Sequence, residues 1–248
     1  MKNAIVTGGG RGIGAEITRA FSAAGYRVVV ASRSDSGIPA ELGDQVRHIA
    51  CDITSPESIR AMVVQAVGWM GGVDVLVNNA GFSGWRRVED VDEAFWDRML
   101  STNLKGTFFA SQAVLPHLGS TGVIVNVSSL AGKRGSGNNS VYCASKFGVN
   151  GVTQAFAKEL GPSGIRVNAV CPVYVETEGL MDALQEPVAP PGGQDVREYL
   201  DGFAGTQAAL RRLPRGDEVG SLCLYLASDA ASAVTGQCIN VDCGVLPQ

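Results

Sequence analysis

Histidine is scarce in this chain of 248 residues, occurring only as His48 and His117. The six cysteines, Cys51, Cys143, Cys171, Cys223, Cys238 and Cys243, include no Cys-x-x-Cys pair. A structural zinc site draws on clustered thiolate and imidazole ligands, so no metal site is expected. Basic runs are also missing, and the formal charge is −4. Nucleic-acid binding, which sets clustered Lys and Arg against phosphates, is therefore not the expected role. No apolar run approaches the ~20 residues of a membrane span. The N-terminus enters a strand pattern within three residues, without the basic and apolar regions of a leader. These absences describe a cytoplasmic protein with reduced, mostly buried thiols that acts on a small molecule.

What the chain has in quantity is apolar residues (45%) and glycine (32 residues), the mark of a globular protein with many tight turns. Short β-branched runs recur at 4–6, 28–31, 46–50, 73–77, 123–127, 165–170 and 238–241. Most lack polar alternation, as parallel strands covered on both faces do. Segments 12–24, 56–70, 94–118, 141–160 and 217–227 between them are long enough for crossover helices. The pattern predicts an α/β doubly wound sheet of seven parallel strands in one domain over 1–248. Only 176–214 breaks the rhythm, where Pro187, Pro190, Pro191, Gly192 and Gly193 interrupt any continuous helix. Following the C-terminal end of a strand, where such sheets bind ligands, it reads as a substrate lid; the alternative is a disordered surface insertion.

Thr7-Gly8-Gly9-Gly10-Arg11-Gly12-Ile13-Gly14 follows the first strand and opens the first helix. Its bare backbone would let a pyrophosphate approach N–H groups at the positive helix end. Eighteen residues beyond Gly14, at the end of the second strand, an acid would accept the ribose hydroxyls of NAD and repel the extra phosphate of NADP. Ser32 and Arg33 stand there instead. Arg33 and Arg11 together form a potential clamp on a 2′-phosphate, so NADP(H) is expected, with NAD(H) as the alternative. The plainer reading is two solvated arginines.

Further motifs follow in order: Cys51-Asp52-Ile53, Asn78-Asn79-Ala80-Gly81, Asn103, Ser128-Ser129, and Tyr142-Cys143-Ala144-Ser145-Lys146. With the glycine turn, they make the chain resemble the short-chain dehydrogenase/reductase family over nearly its whole length, most closely ketoreductases of 3-oxoacyl and polyketide type. Thirteen residues separate Ser129 from Tyr142, similar to the family spacing, which selects Ser129 over Ser128. The resemblance implies a single-domain Rossmann fold and a homotetramer. It also implies catalytic roles for Asn103, Ser129, Tyr142 and Lys146. Tyr142 would exchange a proton with the substrate oxygen, Ser129 would hydrogen-bond that oxygen, and Lys146 would hold the nicotinamide ribose. Asn103 would anchor a water chain to Lys146. Asp52 would meet the adenine, with Ile53 beside it. Asn79, Ala80 and Gly81 would line the cofactor cleft, and Pro172, Val173, Val175 and Thr177 the nicotinamide end.

On its own terms, the Tyr-x-x-x-Lys spacing puts both side chains on one helix face. A nearby ammonium, like the nicotinamide's positive charge, favours phenolate, so the expected phenol is tuned downward from its usual ~10. Each residue alone has an ordinary explanation: packing for Tyr142, a helix cap for Ser129, a solvated face for Lys146, a backbone partner for Asn103. Two positions depart from the family. Val173 replaces a glycine, implying either ordinary backbone or a crowded nicotinamide pocket. Cys243 also stands where a glycine is common, and reads as a buried small hydrophobe, the alternative being a thiol near a subunit contact. The expected reaction is hydride transfer between NADP and a ketone or secondary alcohol. The rival readings are an NAD(P)-dependent alcohol, polyol or sugar dehydrogenase and a non-catalytic NADP-sensing regulator.

Overall fold

The computed structural model describes residues 1–247. Seven parallel strands form one sheet: β1 (Asn3–Thr7), β2 (Arg27–Ser32), β3 (Val46–Ala50), β4 (Val73–Asn78), β5 (Leu118–Val127), β6 (Arg166–Pro172) and β7 (Cys238–Val241). Their order is β3-β2-β1-β4-β5-β6-β7. The chain builds outward from β1 to one edge and then, through β4, to the other. The reversal between β1 and β4 opens a crevice beyond their carboxyl ends.

Helices α1 (Gly12–Ala23) and α9 (Gly216–Ala227) cover one face, α3 (Pro56–Met70) and α5 (Gly106–Val114) the other. Alternate residues of each strand serve the two cores. Ala4, Val6, Val28 and Val30 pack with Ile17, Phe21 and Leu226. Ile5, Val29 and Leu76 pack with Ile59, Met62 and Ala110. Burial on both sides explains the uninterrupted apolar runs. The remaining helices are α2 (Ile38–Leu42), α4 (Glu93–Leu100), α6 (Ser140–Leu160), α7 (Glu178–Leu184) and α8 (Val196–Gln207).

Three expectations need correction. The segment 94–118 is not one helix: α4 ends at Leu100, Ser101–Lys105 forms a π-helical turn, and α5 follows. Strand β5 begins at Leu118 rather than 123, because Leu118 pairs with Val73 across a register shift. Cys243 is half-buried, not buried, and has φ +54°. It occupies the left-handed region with a Cβ, and its carbonyl accepts the Leu210 N–H (3.0 Å). Val173, by contrast, has no positive φ, and its N–H extends the β6–β7 ladder to the Val241 carbonyl (3.3 Å). The local backbone is therefore ordinary. Among the described residues, no helix is long and apolar enough to cross a membrane and no cluster of three or more His, Cys, Asp or Glu could hold a metal ion.

Candidate active site

Strand β1 delivers the chain into a turn that must stay bare. Gly8 and Gly12 have φ of +64° and +51°, where a Cβ is disfavoured. A Cβ on Gly14 would approach the Gly8 carbonyl oxygen to 2.1 Å. The first turn of α1 has no side-chain cap, so its N–H groups form a cradle suited to an anion. Thr7, which sequence reasoning passed over, fastens this turn to β4. Its hydroxyl accepts from the N–H groups of Asn79 (3.0 Å) and Ala80 (3.1 Å). The Asn79 amide donates in turn to the carbonyls of Thr7 (3.0 Å) and Gly8 (3.1 Å). Asn79 thus ties the strands together as well as walling the crevice. Ile13 leans into the core behind the turn.

At the ends of β2 and β3, Arg33 and Asp52 are exposed and Ser32 is half-buried. The Ser32 hydroxyl donates to the Ser34 carbonyl (2.9 Å). Hydrogen bonds from the Thr54 N–H and hydroxyl hold the Asp52 carboxyl below the usual range, and the nearby Arg33 charge adds to this. The structure therefore brings Arg33 and Asp52 to one rim of the crevice. Arg11 is exposed at the start of α1, and Ile53 packs against the second core beside Gly106.

The residues expected to be catalytic lie beyond β4 and β5. Asn103 lies in the π-helical turn and is 1% exposed. Its amide donates to the Phe82 carbonyl (2.9 Å) and the Ser145 hydroxyl (3.1 Å), and its Oδ1 accepts the Phe82 N–H (3.0 Å). A Cβ on Gly81 would sit 3.1 Å from Asn103 Oδ1 and 3.7 Å from Lys146 Nζ, so a bare residue keeps these two groups adjacent. Lys146 is buried on α6. Its Nζ donates to the Val127 carbonyl (2.8 Å) and lies 5.8 Å from the Tyr142 ring centroid. Ser129 hydrogen-bonds the Tyr142 phenol, while Ser128 is turned inward to the Lys146 carbonyl (3.3 Å).

The electrostatics differ from the sequence expectation. Burial pushes the Tyr142 phenol up to about 12, with the Ser129 hydrogen bond opposing. Burial also lowers the Lys146 ammonium to about 8. Desolvation is the largest cause at both groups, so the phenol is pushed up rather than tuned downward.

From β6 the chain runs through Pro172, Val173 and buried Val175 to Thr177, which caps α7 by accepting the Leu180 N–H (3.2 Å). The Thr177 methyl carbon would lie 3.2 Å from a Cβ on Gly12. The root of 176–214 thus reaches the glycine turn. Tyr174 also escaped sequence reasoning, although its place between Pro172 and Thr177 is a signal. Its ring packs edge-on against Phe203 (5.0 Å) and Tyr199 (6.2 Å) of α8.

A family model described as enoyl-(acyl carrier protein) reductase matches residues 8–246. The chain belongs to the short-chain dehydrogenase/reductase family. Members act between CH–OH and C=O groups with a nicotinamide cofactor, and this chain is an oxidoreductase of that kind. It is 38% identical to a monensin polyketide synthase putative ketoacyl reductase of Streptomyces virginiae, over 98% of this chain and 96% of that protein. It is also 38% identical to a 3-alpha-(or 20-beta)-hydroxysteroid dehydrogenase of Mycobacterium tuberculosis, over 99% and 89% of the two chains. Among solved structures, a single-substitution variant of actinorhodin polyketide ketoreductase with NADPH superposes with a TM-score of 0.91 at 36% identity, covering 98% of this chain and 97% of that one. In this dehydrogenase/reductase, then, the glycine turn stands against Thr177, and Gly81 stands beside Asn103 and Lys146.

Proposed function

We propose that the protein is an NADP-dependent ketoreductase, with Tyr142 as proton donor, Ser129 as hydrogen-bond partner of the substrate oxygen, and Lys146 and Asn103 completing the catalytic group. The observation that carries this reading is the gathering of the group at one point: the Lys146 Nζ lies 5.8 Å from the Tyr142 ring centroid, Gly81 stands beside both Asn103 and Lys146, and Ser129 acts on the Tyr142 phenol. Two hydroxyls at one point suit a carbonyl oxygen that gains a proton as hydride arrives at its carbon. A tyrosine phenol is protonated at neutral pH and so can donate in the reductive direction. Bound nicotinamide would supply the hydride.

The cofactor is assigned to the bare cradle of Gly8, Arg11, Gly12, Ile13 and Gly14, to Ser32 and Arg33 for the 2′-phosphate, and to Asp52 and Ile53 at the adenine. Asn79, Ala80, Gly81, Tyr142, Lys146, Pro172, Val173, Val175 and Thr177 line the remainder. Arg33 supports NADP because it sits where NAD enzymes need an acid. The named relatives reduce or oxidise ketoacyl and steroid groups, which supports a bulky ketone as substrate. A sensor without turnover would have no use for the complete catalytic group.

Segment 176–214 serves as the substrate lid. The working form is a cytoplasmic homotetramer; the exposed Phe108 of α5 and Phe147 of α6 are apolar surface suited to a second copy. The test is NADPH oxidation across ketones, β-ketoacyl thioesters and keto sugars. Turnover with a ketone or ketoacyl thioester supports the reading. Turnover only in the oxidative direction, on polyols or sugars, replaces it with the alcohol dehydrogenase alternative.

A further inference from the structure

Three loops meet beside the cluster in which Phe95 packs with Tyr142. The turn after α7 carries Glu186, the loop after β4 carries Trp85 and Arg86, and the loop before α6 carries Asn138. One Glu186 carboxylate oxygen pairs with Arg86 (3.1 Å), and the other accepts the Trp85 backbone N–H. The Asn138 amide donates to the Val188 carbonyl (3.1 Å), and the Asn138 carbonyl accepts the Arg86 N–H (2.7 Å). The Arg86 guanidinium also stacks on the Phe95 ring, 4.9 Å from its centroid. Among the described residues, Glu186–Arg86 is the one ion pair joining the α7–α8 segment to the loop after β4.

Beneath this junction, Trp85 is buried among Leu184, Ala189, Val196 and Leu200 of the segment. Its indole N–H has no hydrogen-bond partner. A buried unpaired donor opposes the closed arrangement, because opening would hydrate it. The pair holding the segment down is partly exposed, and such pairs are individually weak. The apolar cluster around Trp85 thus supplies most of the attachment, and the Glu186–Arg86 pair fixes the segment's edge to the loop after β4.

We infer that Glu186 is the latch of the lid, a positioning residue that fastens the α7–α8 segment to the two loops flanking the entrance to Tyr142. The inference rests on the ketoreductase reading only for what the closed lid covers. Its effect on catalysis runs through substrate retention, not through the proton-transfer group.

The test compares hydrogen exchange in the full-length protein with NADPH present, for wild type, Glu186→Ala, Glu186→Gln and Arg86→Met. Exchange over 178–207 should rise about tenfold in Glu186→Ala, as expected for loss of a charge-assisted contact, while α1 and α9 stay unchanged. Glu186→Gln, which still accepts the Trp85 N–H, should fall between. Arg86→Met breaks the pair from the other side and carries the same test should Glu186→Ala fail to fold. For a ketone the wild type reduces, KM should rise while kcat holds. Unchanged exchange over 178–207 in both Glu186→Ala and Arg86→Met overturns the latch, as does a fall in kcat with KM unmoved. Failure of the wild type to reduce any ketone overturns the ketoreductase reading instead, and leaves the exchange comparison standing.

Discussion

Arg33, whose charge lies near Asp52, is the residue on which the proposed NADP preference turns. Arg33→Asp exchanges attraction for repulsion at the 2′-phosphate. NADPH should be the preferred cofactor of the wild type, and the variant should favour NADH; kcat/KM with each cofactor measures both. Lys146 carries a second residue-scale consequence. Its folded pKa, about 8, lies below the 10.5 of a free lysine. Between those values the unfolded chain binds more protons than the folded one, so the stability cost of burying Lys146 shrinks as pH rises through that window. Below about pH 8 the cost is present in full. Wild type measured against Lys146→Met should therefore gain relative stability from about pH 8 to about pH 10, read as the difference in urea midpoints. A difference that stays flat would show that Lys146 is not desolvated as the structure has it.

At the scale of elements, central strands such as β1 and β2 are legible because they are buried on both faces and so read as apolar runs, while the edge strands β3 and β7 are less buried. The segment 94–118 reads as a single helix because a π-helical turn inserts one residue per turn without changing side-chain composition. Nothing in Ser101-Thr102-Asn103-Leu104-Lys105 announces it, yet it is what turns the Asn103 side chain inward onto Phe82 and Ser145. The first residues of β5 escape notice because Ser120 and Thr121 are exposed polar residues between two glycines. Helix α2 has five residues, too few to show a period. Of the site, the glycine turn and the Tyr-x-x-x-Lys pair can be recognised by spacing alone. Glu186 and Trp85 cannot, because they lie roughly a hundred residues apart in sequence and only the fold brings them together.

For the whole molecule, the strand order gathers the ends of β1, β4, β5 and β6 around one crevice, and the site is built from residues that span the chain. Assembly belongs to this scale too. Phe108 and Phe147 leave apolar surface on the helices covering the sheet. Sedimentation should find a tetramer, and Phe147→Glu should yield smaller species, because a charge placed in an apolar contact is costly to bury. A monomeric wild type would contradict that assignment.

The central claim is hydride transfer to a carbonyl carbon with Tyr142 protonating the oxygen. The most direct measurement is reduction of an α,β-unsaturated ketone by NADPH with deuterium at both C4 positions of the nicotinamide, the product being read by mass spectrometry, in wild type and Tyr142→Phe. The account predicts one deuterium on the carbinol carbon. It also predicts that Tyr142→Phe binds NADPH as the wild type does but turns over at least ~10²-fold more slowly, the loss expected for a positioned acid. Deuterium found on a former alkene carbon, or wild-type turnover in Tyr142→Phe, would contradict it.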